Sequence, residues 1–205
     1  MTLKEAYSTG AREVAARSMT GLARTRVTPN MLTAAGVSLC VFASFLVYFE
    51  YRNQVLYFWL GALVFVVGSV LDILDGALAR VGGKQSPFGA FLDSTLDRVG
   101  EGAMLIAVGL VFMRDDNEVA LGLAMAALAG SFLVPYARAK AEGLGIKGDV
   151  GIGSRAERVT VISVGLALAP WGGLPWAIGV LAATAWFTVL QRILHVRREL
   201  RAQSG

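Results

Sequence analysis

Residues 72–97 read DILDGALARVGGKQSPFGAFLDSTLD, four aspartates set in segments otherwise apolar enough to cross a bilayer. An ionised carboxylate costs several kcal/mol in hydrocarbon, so four of them within two adjoining spans point to a function, and a bound metal is the simplest one. Asp72 and Asp75 are three apart and share a helix face with Gly76, Ala79 and Arg80; Asp93 and Asp97 are four apart and share one with Gly89. The connection between the two segments is short, which makes them antiparallel neighbours. Counting back from Arg80 and forward from Phe88 at 1.5 Å per residue puts all four acids roughly 8 to 14 Å from the turn, so the pairs can meet.

Working outward, the chain has 205 residues, of which 55% are hydrophobic and 17% charged, with a mean hydropathy of +0.58. Soluble domains carry roughly a quarter charged residues. The apolar residues fall in blocks at about 31–49, 54–80, 88–113, 118–141, 155–170 and 174–195, each near the length that spans a hydrocarbon core, the fifth being short. The breakers and charges lie between them. This predicts an all-α membrane protein with six transmembrane helices in one bundle, a single domain over 1–205. Residues 1–28 form an N-terminal juxtamembrane segment, 29–195 the six-helix transmembrane bundle and 196–205 a basic cytoplasmic tail. Residues 1–28 are too polar for a cleavable signal core. There Leu3, Tyr7, Gly10 and Val14 recur at helical spacing, as expected of an interfacial amphipathic helix, with a basic arm as the alternative.

Charge orients the bundle. Sixteen of the 19 Lys and Arg residues fall on one side: five before the first span, Arg80 and Lys84, five from Arg138 to Arg158 and four from Arg192 to Arg201. Arg52 and Arg114 fall opposite, and Arg98 within a span. The bias predicts a multi-pass protein of the cell membrane with both termini and the aspartate cluster on the cytoplasmic side. It also accounts for the pI of 9.5 through contact with anionic membrane lipids, without nucleic acid. The lone Cys40 forms no intrachain disulfide, and His195 is as solitary; neither suggests a zinc site.

Four clustered carboxylates take up protons unless cations neutralise them. Hard oxygen ligands favour Mg²⁺, Mn²⁺ or Ca²⁺, and the acids suffice for two neighbouring ions, which makes two-metal phosphoryl chemistry accessible. Salt bridging to Arg80 and Arg98 is the competing reading, but two cations leave two acids uncompensated. Glu101, one turn beyond Asp97, extends the stripe and is expected to pair with a basic group. A cation transporter would also carry intramembrane acids, spread across the bilayer rather than gathered at one interface.

The assembled pattern, D72-x2-D75-G76-x2-A79-R80-x8-G89-x3-D93-x3-D97, resembles the signature of the CDP-alcohol phosphotransferases at every defined position. The resemblance implies transfer of a phosphatidyl group from CDP-diacylglycerol to an alcohol with release of CMP. It implies that Asp72, Asp75, Asp93 and Asp97 bind two Mg²⁺ ions, with Mn²⁺ a substitute, and that Asp97 is also the base. It implies donor contacts from Pro29, Asn30, Met31, Leu32, Thr33, Gly76, Arg80 and Ser86, with the small Ala79 and Gly89 on the same faces, and a homodimer. Thr28 and Asn30 beside Pro29 also read as an ordinary helix start. Gly76, Ala79 and Gly89 clear space for the ligand, pack helices closely, or do both.

Outside the signature, Arg155 and Arg158 share a face at the start of the fifth span, Arg138 and Lys140 end the fourth and Arg192 nears the end of the sixth. Guanidinium forks suit a phosphate dianion, so a phosphorylated alcohol is expected, although helix-end cations also follow from topology. Arg138 and Lys140, two apart, point about 200° from one another. PYARAKAEGLG at 135–145, GSRAERV at 153–159 and Gln191-Arg192 most resemble the phosphatidylinositol phosphate synthases of that family. That implies inositol 1-phosphate (1D-myo-inositol 3-phosphate) as acceptor, held by Arg138, Lys140, Arg155, Arg158 and Arg192. Glycerol 3-phosphate is the alternative acceptor.

Overall fold

The computed structural model describes residues 28–81, 86–148, 150–152 and 154–203, with the backbone alone for 77, 80 and 81. Most of the expected N-terminal interfacial helix lies outside these residues, as does the Arg80 side chain. Among the described residues there are six α-helices and no strand: α1 (Pro29–Tyr48), α2 (Gln54–Val81), α3 (Pro87–Arg114), α4 (Glu118–Gly143), α5 (Arg155–Leu168) and α6 (Leu174–Gln203). Short 3-10 turns at Glu50–Arg52 and Ala169–Trp171 complete the connections.

Local chemistry sets the starts. Thr28 accepts the Met31 N–H at 3.3 Å with Pro29 following, and Ser86 accepts the Gly89 N–H at 2.9 Å with Pro87 following. Both are side-chain caps backed by a proline whose missing N–H is unneeded in a first turn. Ser154 and Glu157 form a reciprocal capping box at the start of α5. The last helix runs to Gln203 rather than stopping near 195, so most of the expected tail is helical.

Four helices, α1, α2 as far as Gly76, α4 and α6, are long and apolar enough to cross a membrane. α3 has the length, 28 residues, but carries Asp93, Asp97, Arg98 and Glu101 within its first 15, and α5 has only 14 residues. The core holds Val47, Phe58, Phe65, Met104, Val108, Ile162, Leu166, Ile178 and Leu181, all buried. Large apolar side chains such as Phe42, Leu63, Ile106, Met125 and Trp176 face outward on several helices. In water such a surface would aggregate; in lipid it is the expected exterior.

α1 lies against α2 and α3, α4 against α6, and α5 against α6 and α2. Backbone contact without side chains makes the α1/α2 crossing close. A Cβ on Gly36 would come within 2.8 Å of the Gly68 carbonyl oxygen, and one on Gly68 within 2.7 Å of the Gly36 oxygen. Gly100 on α3 meets Cys40 in the same way, at 3.0 Å. This crossing lies one turn from the first aspartate: the Gly36 Cβ position is 3.4 Å from the Asp72 Cβ. At the opposite end, Arg114 ties α3 to the α1–α2 turn by an ion pair to the buried Glu50 at 2.5 Å, between the rings of Tyr48 and Tyr51.

Candidate metal centre and its two cavities

The α1/α2/α3 crossing turns Asp72 and Asp75 inward, where both are buried, and brings Asp93 of α3 to meet them. One carboxylate oxygen from each of Asp72, Asp75 and Asp93 lies within 4.8 Å of the others. Thr33 of α1 donates its hydroxyl to Asp75 Oδ2 and orients that carboxylate. The group fits a hard divalent cation on two grounds. All its donors are carboxylate oxygens, and Asp72 Oδ1 is buried with no hydrogen-bond partner, a costly state for an anionic oxygen that ligation would relieve.

Asp97 stands beside this group rather than within it. Its Oδ1 lies 2.8 Å from Arg155 Nη2, while Arg155 Nη1 donates to Asp72 Oδ2. Thus Arg155, the first residue of α5, bridges the two acidic helices. The expected convergence of four acids is found for three, with the fourth turned toward a guanidinium.

A cavity of about 490 Å³ opens on one side of the cluster, reached by Asp75 and Asp93 and walled by Pro29, Asn30, Thr33, Gly76, Ala79, Ser86 and Gly89. Met31 and Leu32 do not line it, and Met31 faces outward. Thr28 and Ser86 act as helix caps, so the helix-start reading of this region holds, and Ser86 serves as both cap and wall. A Cβ on Gly89 would meet only the Ser86 Oγ, at 3.0 Å, and Asn30 Oδ1, at 3.7 Å. Of the two readings of the small signature residues, clearing space is the one this wall supports; the close helix packing belongs to Gly36, Gly68 and Gly100.

A second cavity, of about 670 Å³, opens beyond Ala90, which lines both. Asp97 reaches it, and Arg138, Arg155, Arg158 and Arg192 gather around it. Lys140 does not; it lines a separate groove, its Nζ 5.7 Å from the Tyr136 ring centroid. Arg158 grips Glu101 in a buried two-pronged pair, Nε to Oε1 at 2.7 Å and Nη2 to Oε2 at 2.9 Å. Arg138 pairs with Glu142 at 2.8 Å, and Arg192 donates to the Val150 carbonyl at 2.9 Å and to that of Val134. Ser94, Arg98, Glu142 and Ser154 also line this cavity and were not anticipated. The spacing of Glu142 four residues after Arg138 was the available signal.

The sequence model of the CDP-alcohol phosphatidyltransferase family matches residues 26–196. An archaetidylinositol phosphate synthase of Pyrococcus horikoshii is 34% identical over 181 residues, covering 87% of this chain and 88% of that protein. A phosphatidylinositol phosphate synthase of Mycolicibacterium smegmatis is 34% identical over 183 residues, covering 85% and 79%. The crystal structure of the Mycobacterium tuberculosis phosphatidylinositol phosphate synthase with CDP-DAG bound superposes with a TM-score of 0.79 at 26% identity, covering 90% of this chain and 94% of that one. The same enzyme in complex with manganese and citrate gives a TM-score of 0.78 at 28% identity, covering 89% and 88%.

Proposed function

Since the chain belongs to the CDP-alcohol phosphatidyltransferase family, we propose that the alcohol it uses is inositol 1-phosphate, giving phosphatidylinositol phosphate and CMP from CDP-diacylglycerol. Family membership sets aside the cation-transporter reading. The observation that carries the acceptor is the second cavity, where five arginines, Arg98 among them, gather beside Asp97, wide enough for a phosphorylated ring. Relatives named for inositol phosphate products support it.

In this reading Asp72, Asp75 and Asp93 hold divalent cations, two Mg²⁺ with Mn²⁺ as a substitute, and Asp97 completes the site. The bound cations supply charge neutralisation for the pyrophosphate and polarise the phosphorus under attack. The chain's own residues do the rest. Thr33 fixes the Asp75 carboxylate, and Gly76 and Gly89 leave room for the nucleotide. Arg155 holds the acceptor phosphate, and Asp97 takes the proton as the hydroxyl attacks, its proximity making up for modest basicity. CMP leaves in one displacement, with no covalent enzyme intermediate.

The six helices would all span the membrane, α3 and α5 sheltering their polar residues inside the bundle. The excess of Lys and Arg on the side of the aspartate cluster supports a cytoplasmic location for that end and for both termini. A homodimer follows from the family resemblance.

The test is to supply detergent-purified protein and Mg²⁺ with CDP-diacylglycerol and either labelled inositol 1-phosphate or labelled glycerol 3-phosphate. Lipid-soluble label is expected with the inositol compound; label only with glycerol 3-phosphate overturns the assignment. In the same assay Arg155→Ala is expected to raise the acceptor KM roughly tenfold or more, the scale of a lost charge-assisted hydrogen bond, with a smaller change for the donor. Equal effects on both substrates would argue against a dedicated acceptor pocket.

A further inference from the structure

Lys140 has no place in the acceptor cavity, and the groove it does line has a composition of its own. At the end of α4, Ala137, Lys140, Ala141 and the C-cap residue Leu144 recur at i, i+3, i+4 and i+7 and form one stripe; on α6, Ile193, Val196, Arg197 and Leu200 form another. Between the stripes lies a groove of about 520 Å³, with Lys140, Arg192, Arg197 and Arg201 around an aliphatic floor and no carboxylate in its lining. Leu144, Ile193 and Leu200 on that floor are 59%, 56% and 41% exposed. The groove exists because α6 continues as helix through Gln203, past the end of its apolar block, so its wall stands where the chain leaves hydrocarbon.

We propose that this groove seats an anionic phospholipid of the cytoplasmic leaflet, its phosphate among Lys140, Arg197 and Arg201 and an acyl chain along the aliphatic floor. Charge and polarity together select this occupant. A zwitterionic lipid would cover the floor but leave the rim's positive charge unopposed, and a free sugar phosphate would answer the charge but leave the leucines bare. Basic pockets between helices on the cytoplasmic side are where anionic headgroups dock. Topology alone accounts for cations at helix ends, not for their grouping around an exposed aliphatic channel. Arg192 lines both this groove and the acceptor cavity, so the lipid would sit one side chain away from the reaction.

The experiment is native mass spectrometry of the full chain mixed with equal amounts of dioleoyl phosphatidylglycerol and dioleoyl phosphatidylcholine. The wild type is expected to retain the anionic lipid at least about fivefold over the neutral one. Arg197→Glu with Arg201→Glu should remove the preference, and Arg197→Gln with Arg201→Gln, a milder pair at helical positions, should reduce it. CMP release by both variants reports that they are folded, since neither residue belongs to the transfer site. Equal retention of the two lipids by the wild type would assign the groove to another occupant and overturn the proposal. So would an unchanged preference in both variants, or displacement of the lipid by saturating inositol 1-phosphate or inorganic phosphate. A chain inactive toward both alcohol phosphates would still show the preference, so this result and the acceptor assignment fail separately.

Discussion

Asp97→Asn is expected to lower kcat by a factor of about 10² to 10⁴, the usual contribution of a positioned general base, while CDP-diacylglycerol binding stays within a few-fold of wild type. The substitution keeps the side chain's size and removes its ability to take a proton. Asp97 is the aspartate of the signature that reaches the second, arginine-lined cavity, whereas Asp75 and Asp93 reach the other. Asp72→Asn and Asp75→Asn act differently, because they remove oxygens from the converging group and should weaken metal and donor binding together. Parallel measurements of CMP release and of labelled donor retention separate the two classes. Undiminished CMP release by Asp97→Asn would reject its role as the base.

Glu101→Ala is the change expected to damage the fold most. It removes the two-pronged partner of Arg158, a residue 8% exposed, and breaking a buried pair from one side costs about 3 to 5 kcal/mol. In a chain of this length that corresponds to a fall of roughly 10 °C in Tm. The pair joins α3 to α5, a helix of 14 residues that also presents Arg155, so the acceptor KM should rise as well. Replacing both partners, Glu101→Leu with Arg158→Met, should recover much of the Tm without recovering acceptor affinity. A single variant that melts with the wild type would mean that the pair does not hold α5 in place.

The helices were legible because their apolar blocks are interrupted by residues with strong local chemistry. Pro29 and Pro87 behind capping hydroxyls mark two starts, and the spacing of the aspartates announced that Asp72, Asp75 and Asp93 would converge. The end of α6 was not legible, since Arg197, Arg198 and Arg201 are good helix formers that also look like a solvated tail. Periodicity defines which residues share a face but not how neighbouring helices are rotated. It therefore predicted that Arg138 and Lys140 diverge, without saying which of them shares a cavity with Arg155. Nor could it show that Arg155 would turn to Asp72 and Asp97, or that Gly36 and Gly68, outside the signature, would set how near α1 comes to the acids. Contacts between residues tens of positions apart decide these points, and no local pattern encodes them.

The cluster stands between two separate cavities, with Asp75 and Asp93 reaching one and Asp97 the other. If, as proposed, the nucleotide leaves through the first and the hydroxyl arrives through the second, the transferred phosphorus would be approached from the face opposite its departing oxygen. A single passage of this kind has a stereochemical signature: a phosphorus made chiral with oxygen isotopes emerges with its handedness reversed.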